Sequence, residues 1–260
     1  MISVFLRILV IAIGFSFLSC QEQKVDSQVS KEATTEQSTI PPKLVSDDQA
    51  GTLSGRVIYD GEAPKPQKLL VVKDVAVCGK QTHFDESLMV GRQNGIQNAV
   101  VYLSGTVDGQ PQAPPGTQFI LDQQGCRYQP HVLLLPVDTT LQILNSDNIL
   151  HNIHTFSTIN PPVNLAQPGF KKKLEMAFRA PEKISVKCDV HGWMSAWIVV
   201  VEHSYYALTD ADGRFTLSHI PPGTYTVTCW QERLGEQTAQ VTITAGETAA
   251  RDFHYPNKKS

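Results

Sequence analysis

The sequence predicts an all-β protein made of small sandwiches, and three observations predict it. Short alternating or apolar runs recur along the chain, and Gly, Pro, Asn and Asp clusters separate them. Beyond the N-terminal apolar segment, no stretch keeps a helical period. The expected strands, in order, are 53–59, 99–103, 118–121, 132–135, 140–144, 184–188, 197–201, 215–217, 224–230 and 239–244. In 184–188, alternation puts Ile184, Val186 and Cys188 on one face. Residues 197–201 read Trp-Ile-Val-Val-Val, and 225–229 place Tyr225, Val227 and Cys229 on a shared face. The roughly 210 residues after Ala50 suffice for two such sandwiches.

The N-terminus sets the expected compartment. Residues 8–18 are almost wholly apolar, follow Arg7 and stop at Phe17-Leu18-Ser19-Cys20. That is a signal-peptide core, too short for an ordinary membrane span. Ser19-Cys20 resembles a bacterial lipobox, although Phe17 is less usual there than Leu. The resemblance implies that 1–19 is a lipoprotein signal and that Cys20 is lipidated on its thiol and attached to a membrane. By the same resemblance, Gln21 in place of Asp favours the periplasmic side of the outer membrane, or the cell surface. The alternative is an ordinary secretory signal. Residues 20–50 are rich in Gln, Glu, Ser, Thr and Lys and lack aromatics, which is the composition of a disordered tether.

Chemistry concentrates in Cys188-Asp189-Val190-His191-Gly192-Trp193-Met194 and in the upstream run 145–154, which carries His151 and His154. A thiolate, imidazoles and a thioether suit copper, which is soft as Cu(I) and harder as Cu(II). Structural zinc prefers four strong Cys or His ligands, and only one Cys lies near these histidines. Cys188 is expected to end one strand, His191 to lie in the connection, and Met194 to sit near the start of the next. His154 falls three residues after His151, so on a strand the two face opposite ways. Ile149, His151 and Ile153 share one face, which favours His151 as the ligand over His154. Taken singly, each of these residues is more often a packing residue; buried Cys in particular needs no metal.

Cys-x-x-His-x-x-Met resembles the ligand loop of amicyanin, within the plastocyanin and azurin-like cupredoxins, over residues 115–202. His151-Asn152-Ile153-His154 resembles the His-Asn-Val-His segment of that family. The resemblance implies a Greek-key sandwich and one type 1 copper held by His151, Cys188, His191 and Met194. It implies that Asn152 braces the Cys-bearing loop, and that an exposed edge of His191 is the electron exit, beside an apolar surface around Trp193. The sequence departs from the pattern at Leu150, where Pro is frequent, and at Gly192-Trp193, where amicyanin has Pro and Phe.

A second resemblance follows downstream. Thr209-Asp210-Ala211-Asp212-Gly213-Arg214-Phe215, then Ile220-Pro221-Pro222-Gly223-Thr224-Tyr225, resembles the carboxypeptidase-regulatory-like, or transthyretin-like, module. Asp-Ala-Asp-Gly reads as a hairpin turn rather than a calcium loop, which needs more acidic positions. The first strands of this module have counterparts far upstream, at 51–57 and 98–103. The expected division is 51–112 for N-terminal strands of that module, 113–202 for the cupredoxin domain and 203–256 for the C-terminal sandwich. The copper domain is then inserted into the module; two tandem domains are the simpler alternative.

The five cysteines sort accordingly. Cys20 goes to lipid and Cys188 to metal; Cys78 and Cys126 are candidates for a disulfide, and Cys229 is left over in a strand. With 22 Lys and Arg against 25 Asp and Glu, the chain lacks the basic footprint of a nucleic-acid binder. Lys171-Lys172-Lys173 reads as a solvated hairpin. A nucleophilic Cys–His pair lacks an orienting acid, and a binuclear copper site lacks a second nearby Cys, so no enzyme is expected. The expected function is single-electron transfer between redox partner proteins. A copper-trafficking lipoprotein and a structural surface lipoprotein are the alternatives.

Overall fold

The structure, a computed structural model, describes residues 49–105, 107 and 116–257. The signal 1–19, Cys20 and the tether up to residue 48 lie outside the described residues. The regular structure among the described residues is nearly all strand, arranged as four main sheets in two pairs.

One pair draws on both ends of the chain. Gly51–Asp60 pairs antiparallel with Arg214–Ile220 and parallel with Thr248–Ala250 and Phe253–Pro256. The facing sheet runs Tyr206–Leu208, Val100–Ser104, Gly223–Gln231, Gly235–Ile243, all antiparallel. Their inward side chains, among them Leu53, Val57, Val101, Leu103, Phe215, Val227 and Tyr255, make one core. Cys229 is buried there as a free thiol, pushed up to about 12 by that burial.

The other pair lies wholly between residues 119 and 201. One sheet orders Lys173–Met176, Leu141–Asn145, Phe119–Gln123, Tyr128–Gln129; the other orders Asn164–Gln167, His151–Phe156, Glu182–Lys187, Ser195–Val201, Val132–Pro136. Leu121, Leu141, Ile143, Ile153, Ile184, Val186 and Ile198 fill the space between them, and Cys188 and Met194 belong to the same cluster.

Ser195–Val201 explains its own unbroken apolar run. Alternation sends Ala196, Ile198 and Val200 into the core of its own sandwich. It sends Val199 and Val201 the other way, where they cluster with Val132 of the same sheet and with Val100 and Trp230 of the neighbouring sheet. A strand buried on both faces has no polar face to show. Trp197 meets Trp230 edge-on, with ring centroids 5.0 Å apart.

Two expected hairpins are not hairpins. Asp210–Gly213 turns as its chemistry requires, with Gly213 at φ 75° and Asp210 Oδ1 accepting the N–H groups of Asp212 and Arg214. It joins Tyr206–Leu208 to Arg214–Ile220, however, and these lie in opposite sheets. Lys171–Lys173 likewise crosses between sheets, linking Asn164–Gln167 to Lys173–Met176. Turn chemistry is local, whereas strand pairing is decided by which faces the core can bury.

A polar contact crosses the seam between the sandwiches. His131 Nδ1 donates to the Ser195 carbonyl at 3.2 Å, and Nε2 donates to Glu232 at 2.5 Å. Trp197 Nε1 donates to the other Glu232 oxygen at 2.7 Å. Both imidazole nitrogens therefore carry protons. Burial opposes that charge, but the Glu232 carboxylate outweighs burial and raises the His131 pKa above its ordinary value of 6.5. A raised folded pKa gives stability that is complete below the unfolded value of about 6.5 and is lost as pH rises through the folded value. Unfolding free energies from urea melts on either side of that range should show the loss. Glu232→Gln should flatten the dependence; an unchanged slope in that variant would remove His131 as its source.

Candidate metal centre

The buried end of the second sandwich gathers the donors. His151 opens the strand His151–Phe156, and its side chain turns inward with Ile153 while Asn152 and Phe156 turn outward. Cys188 follows directly on Glu182–Lys187, and Met194 directly precedes Ser195–Val201. The seven-residue connection, Cys188 to Met194, is closed by two backbone bonds: Met194 N–H to the His191 carbonyl at 2.9 Å and Cys188 N–H to the Met194 carbonyl at 3.3 Å.

His151 Nδ1 lies 3.0 Å from His191 Nδ1, and Cys188 Sγ lies 3.8 Å from His191 Nδ1. The donor atoms of all three residues fall within 4.8 Å of one another, and all three side chains are buried. Met194 is buried in the same cluster. His154 is elsewhere: it faces outward, its Nδ1 is 2.9 Å from Asp189, and its ring stacks on Phe156. The structure thus brings together His151, Cys188 and His191, with Met194 tied by its backbone to both loop donors.

Two carboxylates, neither assigned a role by the sequence, fix the rings. Asp147 accepts from His151 Nε2 at 3.0 Å, and Asp74 accepts from His191 Nε2 at 2.8 Å. A carboxylate at Nε2 keeps a proton there and leaves Nδ1 as the lone-pair donor. Asp147 is itself held by the N–H groups of Gly125 and Cys126, at 2.6 and 2.7 Å. These bonds and His151 outweigh burial and lower the Asp147 pKa. Asn152 Oδ1 accepts the N–H of Asp189 at 2.6 Å, next to Cys188, and its amide donates to Asn164 at 2.8 Å.

Two lone pairs cannot face each other at 3.0 Å without something positive between them. A proton can serve, and the ionisation of the cluster agrees. Burial opposes charge on His151, but Asp147 and the Cys188 sulfur raise its pKa. Burial lowers that of His191. Burial raises the Cys188 pKa, and His151 with the N–H groups of Asn152, His191 and Val190 more than reverses it, so the thiol ionises more readily than an ordinary cysteine. A metal ion is the other solution. Ligands about 2.0–2.3 Å from a common ion sit up to about 4 Å apart. The 3.0 and 3.8 Å separations lie within that span, and two imidazoles and a thiolate suit a soft or borderline ion such as copper.

The solvent side differs from expectation. His191 has no exposed edge: its side chain is fully buried, and the segment carrying Asp74 covers it. Trp193 is half-buried, 5.0 Å from the His191 ring, and donates Nε1–H to the Cys126 carbonyl. A disulfide joins Cys78 to Cys126 and so ties the Asp74 segment to the segment that holds Asp147. Cys126 also lies near Asp147 and His151, but as a disulfide sulfur it is no ligand.

Sandwich and donor set define a class of β-sandwich with a buried two-imidazole, one-thiol centre. Residues 180–251 match the family model described as polysaccharide lyase family 4, domain II; the match runs through strands of both sandwiches. No curated protein matches the sequence. Among solved structures, the chain is similar to a copper-containing nitrite reductase from Thermus scotoductus SA-01, at 23% identity and a TM-score of 0.31. That likeness covers 36% of this chain and 26% of the reductase, so the chain spans about a quarter of the reductase's length. It is similar to a purple cupredoxin from Nitrosopumilus maritimus at 20% identity and TM-score 0.28, covering 32% of this chain and 100% of that one. It is also similar to an oxidised proline-to-glycine variant of amicyanin, at 16% identity and TM-score 0.30, covering 39% and 98%.

The disulfide should matter to stability as well as to the site. Its partners lie 48 positions apart. Replacing Cys78 and Cys126 together by Ser should cost roughly 4 kcal/mol on the loop-entropy account. Denaturant unfolding under non-reducing conditions measures it, and a cost near zero would mean that the unfolded chain is not constrained by this link.

Proposed function

We propose that this chain is a type 1 copper protein that carries single electrons between redox proteins, exported and held to a membrane through Cys20. The observation that carries the reading is the convergence of two Nδ1 atoms and one sulfur in a fully buried site, with each Nε2 occupied by a carboxylate. His151, Cys188 and His191 are the strong ligands and Met194 the weak axial one. Copper bound there supplies a one-electron couple between Cu(I) and Cu(II).

The chain's own contribution is rigidity. Asp147 and Asp74 hold the imidazoles, Asn152 holds the Cys188 loop, and the sandwich core holds Met194. Little has to move when charge arrives or leaves, which suits electron transfer. In this reading the copper sandwich, 113–202, is inserted into a transthyretin-like module made by 51–112 and 203–256. The pairing of Val100–Ser104 with Tyr206–Leu208 supports insertion over a tandem arrangement. Because His191 is covered, electrons leave by another part of the loop, and half-buried Trp193, 5.0 Å from that ring, is the aromatic group on that loop.

Full-length protein loaded with Cu(II) should show the intense absorption of a copper–thiolate bond. Cys188→Ser and His151→Ala should abolish it, whereas His154→Ala should leave it nearly intact. A colourless protein that retains zinc would sink the copper reading, and rapid copper loss on reduction would point to trafficking instead.

Met194 tests the axial assignment. Met194→Gln should keep copper and lower the reduction potential, because an amide oxygen favours Cu(II). Met194→Leu should raise it. Protein-film voltammetry compares the three proteins, and coincident potentials would make Met194 a packing residue.

A further inference from the structure

We propose that Asp74 is a positioning residue of the metal centre: it fixes the His191 imidazole from outside and closes the ring's outward edge. The inference rests on the copper reading above.

Asp74 stands 117 positions before His191 and belongs to the segment that leads into the disulfide. It is the N-cap of the short helix Val75–Cys78, where an Asp side chain ordinarily accepts an N–H of its own first turn. Here it makes no such bond. Its carboxylate goes to His191 Nε2 instead, at 2.8 Å. Its backbone is left-handed, at φ 47° and ψ 40°, whereas N-caps are normally extended. Asp tolerates that region better than most residues but not freely. Two local preferences are set aside for one distant contact, and the Cys78–Cys126 link keeps the contact in place.

The chemistry of the contact follows. A carboxylate on Nε2–H makes the imidazole a stronger donor at Nδ1 and stabilises the more positive ion. It is also a negative charge beside a buried site. Both effects favour Cu(II). The contact also leaves His191 fully buried although the Asp74 side chain is 38% exposed, so Asp74 and not His191 meets solvent at this edge.

The test uses the full chain with Asp74→Asn and Asp74→Ala. Asn keeps an acceptor oxygen and tolerates the left-handed backbone, but it removes the charge; Ala removes both. Both variants should bind copper with the thiolate absorption. Cu(II) affinity, measured by chelator competition, should fall 10–100-fold for Ala and less for Asn. The reduction potential should rise, by about 59 mV for each tenfold loss that spares Cu(I). A second readout needs no metal: in imidazole-selective 15N spectra of the metal-free protein, the His191 Nε2–H should exchange slowly with solvent and become fast in Asp74→Ala. Variants that match wild type in affinity, potential and exchange would overturn the role of Asp74. Wild type without the thiolate absorption but with a protected His191 Nε2–H would overturn the copper reading and the role toward copper, while leaving the contact itself standing.

Discussion

The placement of two protons, one on each Nε2 of His151 and His191, governs the buried site. Once Asp147 and Asp74 accept those protons, both rings must present lone pairs inward. The 3.0 Å approach of the two Nδ1 atoms is then stable only around a positive charge. Everything nearby supports that arrangement. Gly125 and Cys126 hold Asp147 with backbone N–H groups, and the disulfide at Cys126 reaches back to the segment that carries Asp74. The His83 ring and the Trp193 indole donate to the carbonyls of Cys78 and Cys126, so aromatic groups cover both half-cystines. One covalent link therefore serves both imidazoles, although neither of its sulfurs is a donor.

The sandwiches supply the frame for this cluster. Cys188 and Met194 sit at the ends of adjacent antiparallel strands, Glu182–Lys187 and Ser195–Val201, whose register runs unbroken from Glu182↔Val200 to Lys187↔Ser195. The second of these strands is pinned on both faces, by its own core and by the neighbouring sheet. Loop donors mounted on such strands have few ways to drift. The cost is a seam that must be filled on the outer side, and Val199, Val201, Trp197 and Trp230 fill it with apolar and aromatic surface.

The part of this that could be read in the sequence is the part that depends on near neighbours. Period-two alternation placed Ile184, Val186 and Cys188 on one face and put His151 inward in preference to His154, and the structure shows these orientations. The all-β class followed from run lengths and turn residues. Asp74 leaves no local mark in the sequence, because the imidazole its carboxylate holds is 117 positions away. The burial of His191 was missed for the same reason: a loop histidine looks exposed until the segment that covers it is known. Asp147 lay inside the run that drew attention to His151, and its i,i+4 spacing from that residue was the one available hint. Turn chemistry located Asp210–Gly213 but could not say that it bridges two sheets, since pairing is settled by burial across the whole module.

The arrangement of strands on either side of the second sandwich has a further consequence for how such a chain can be remade. Val100–Ser104 and Tyr206–Leu208 are ladder partners, with Tyr102 opposite Tyr206 and Val100 opposite Leu208. The polypeptide thus leaves one sheet and returns to the adjacent place in it about a hundred residues later. Excising everything between and closing the gap with a tight turn would leave an ordinary two-strand ribbon. The second sandwich is in that sense a cassette, carried on a loop of a scaffold that does not need it in order to close its own sheets. Gain, loss or exchange of the cassette requires only that two neighbouring strand ends be bridged.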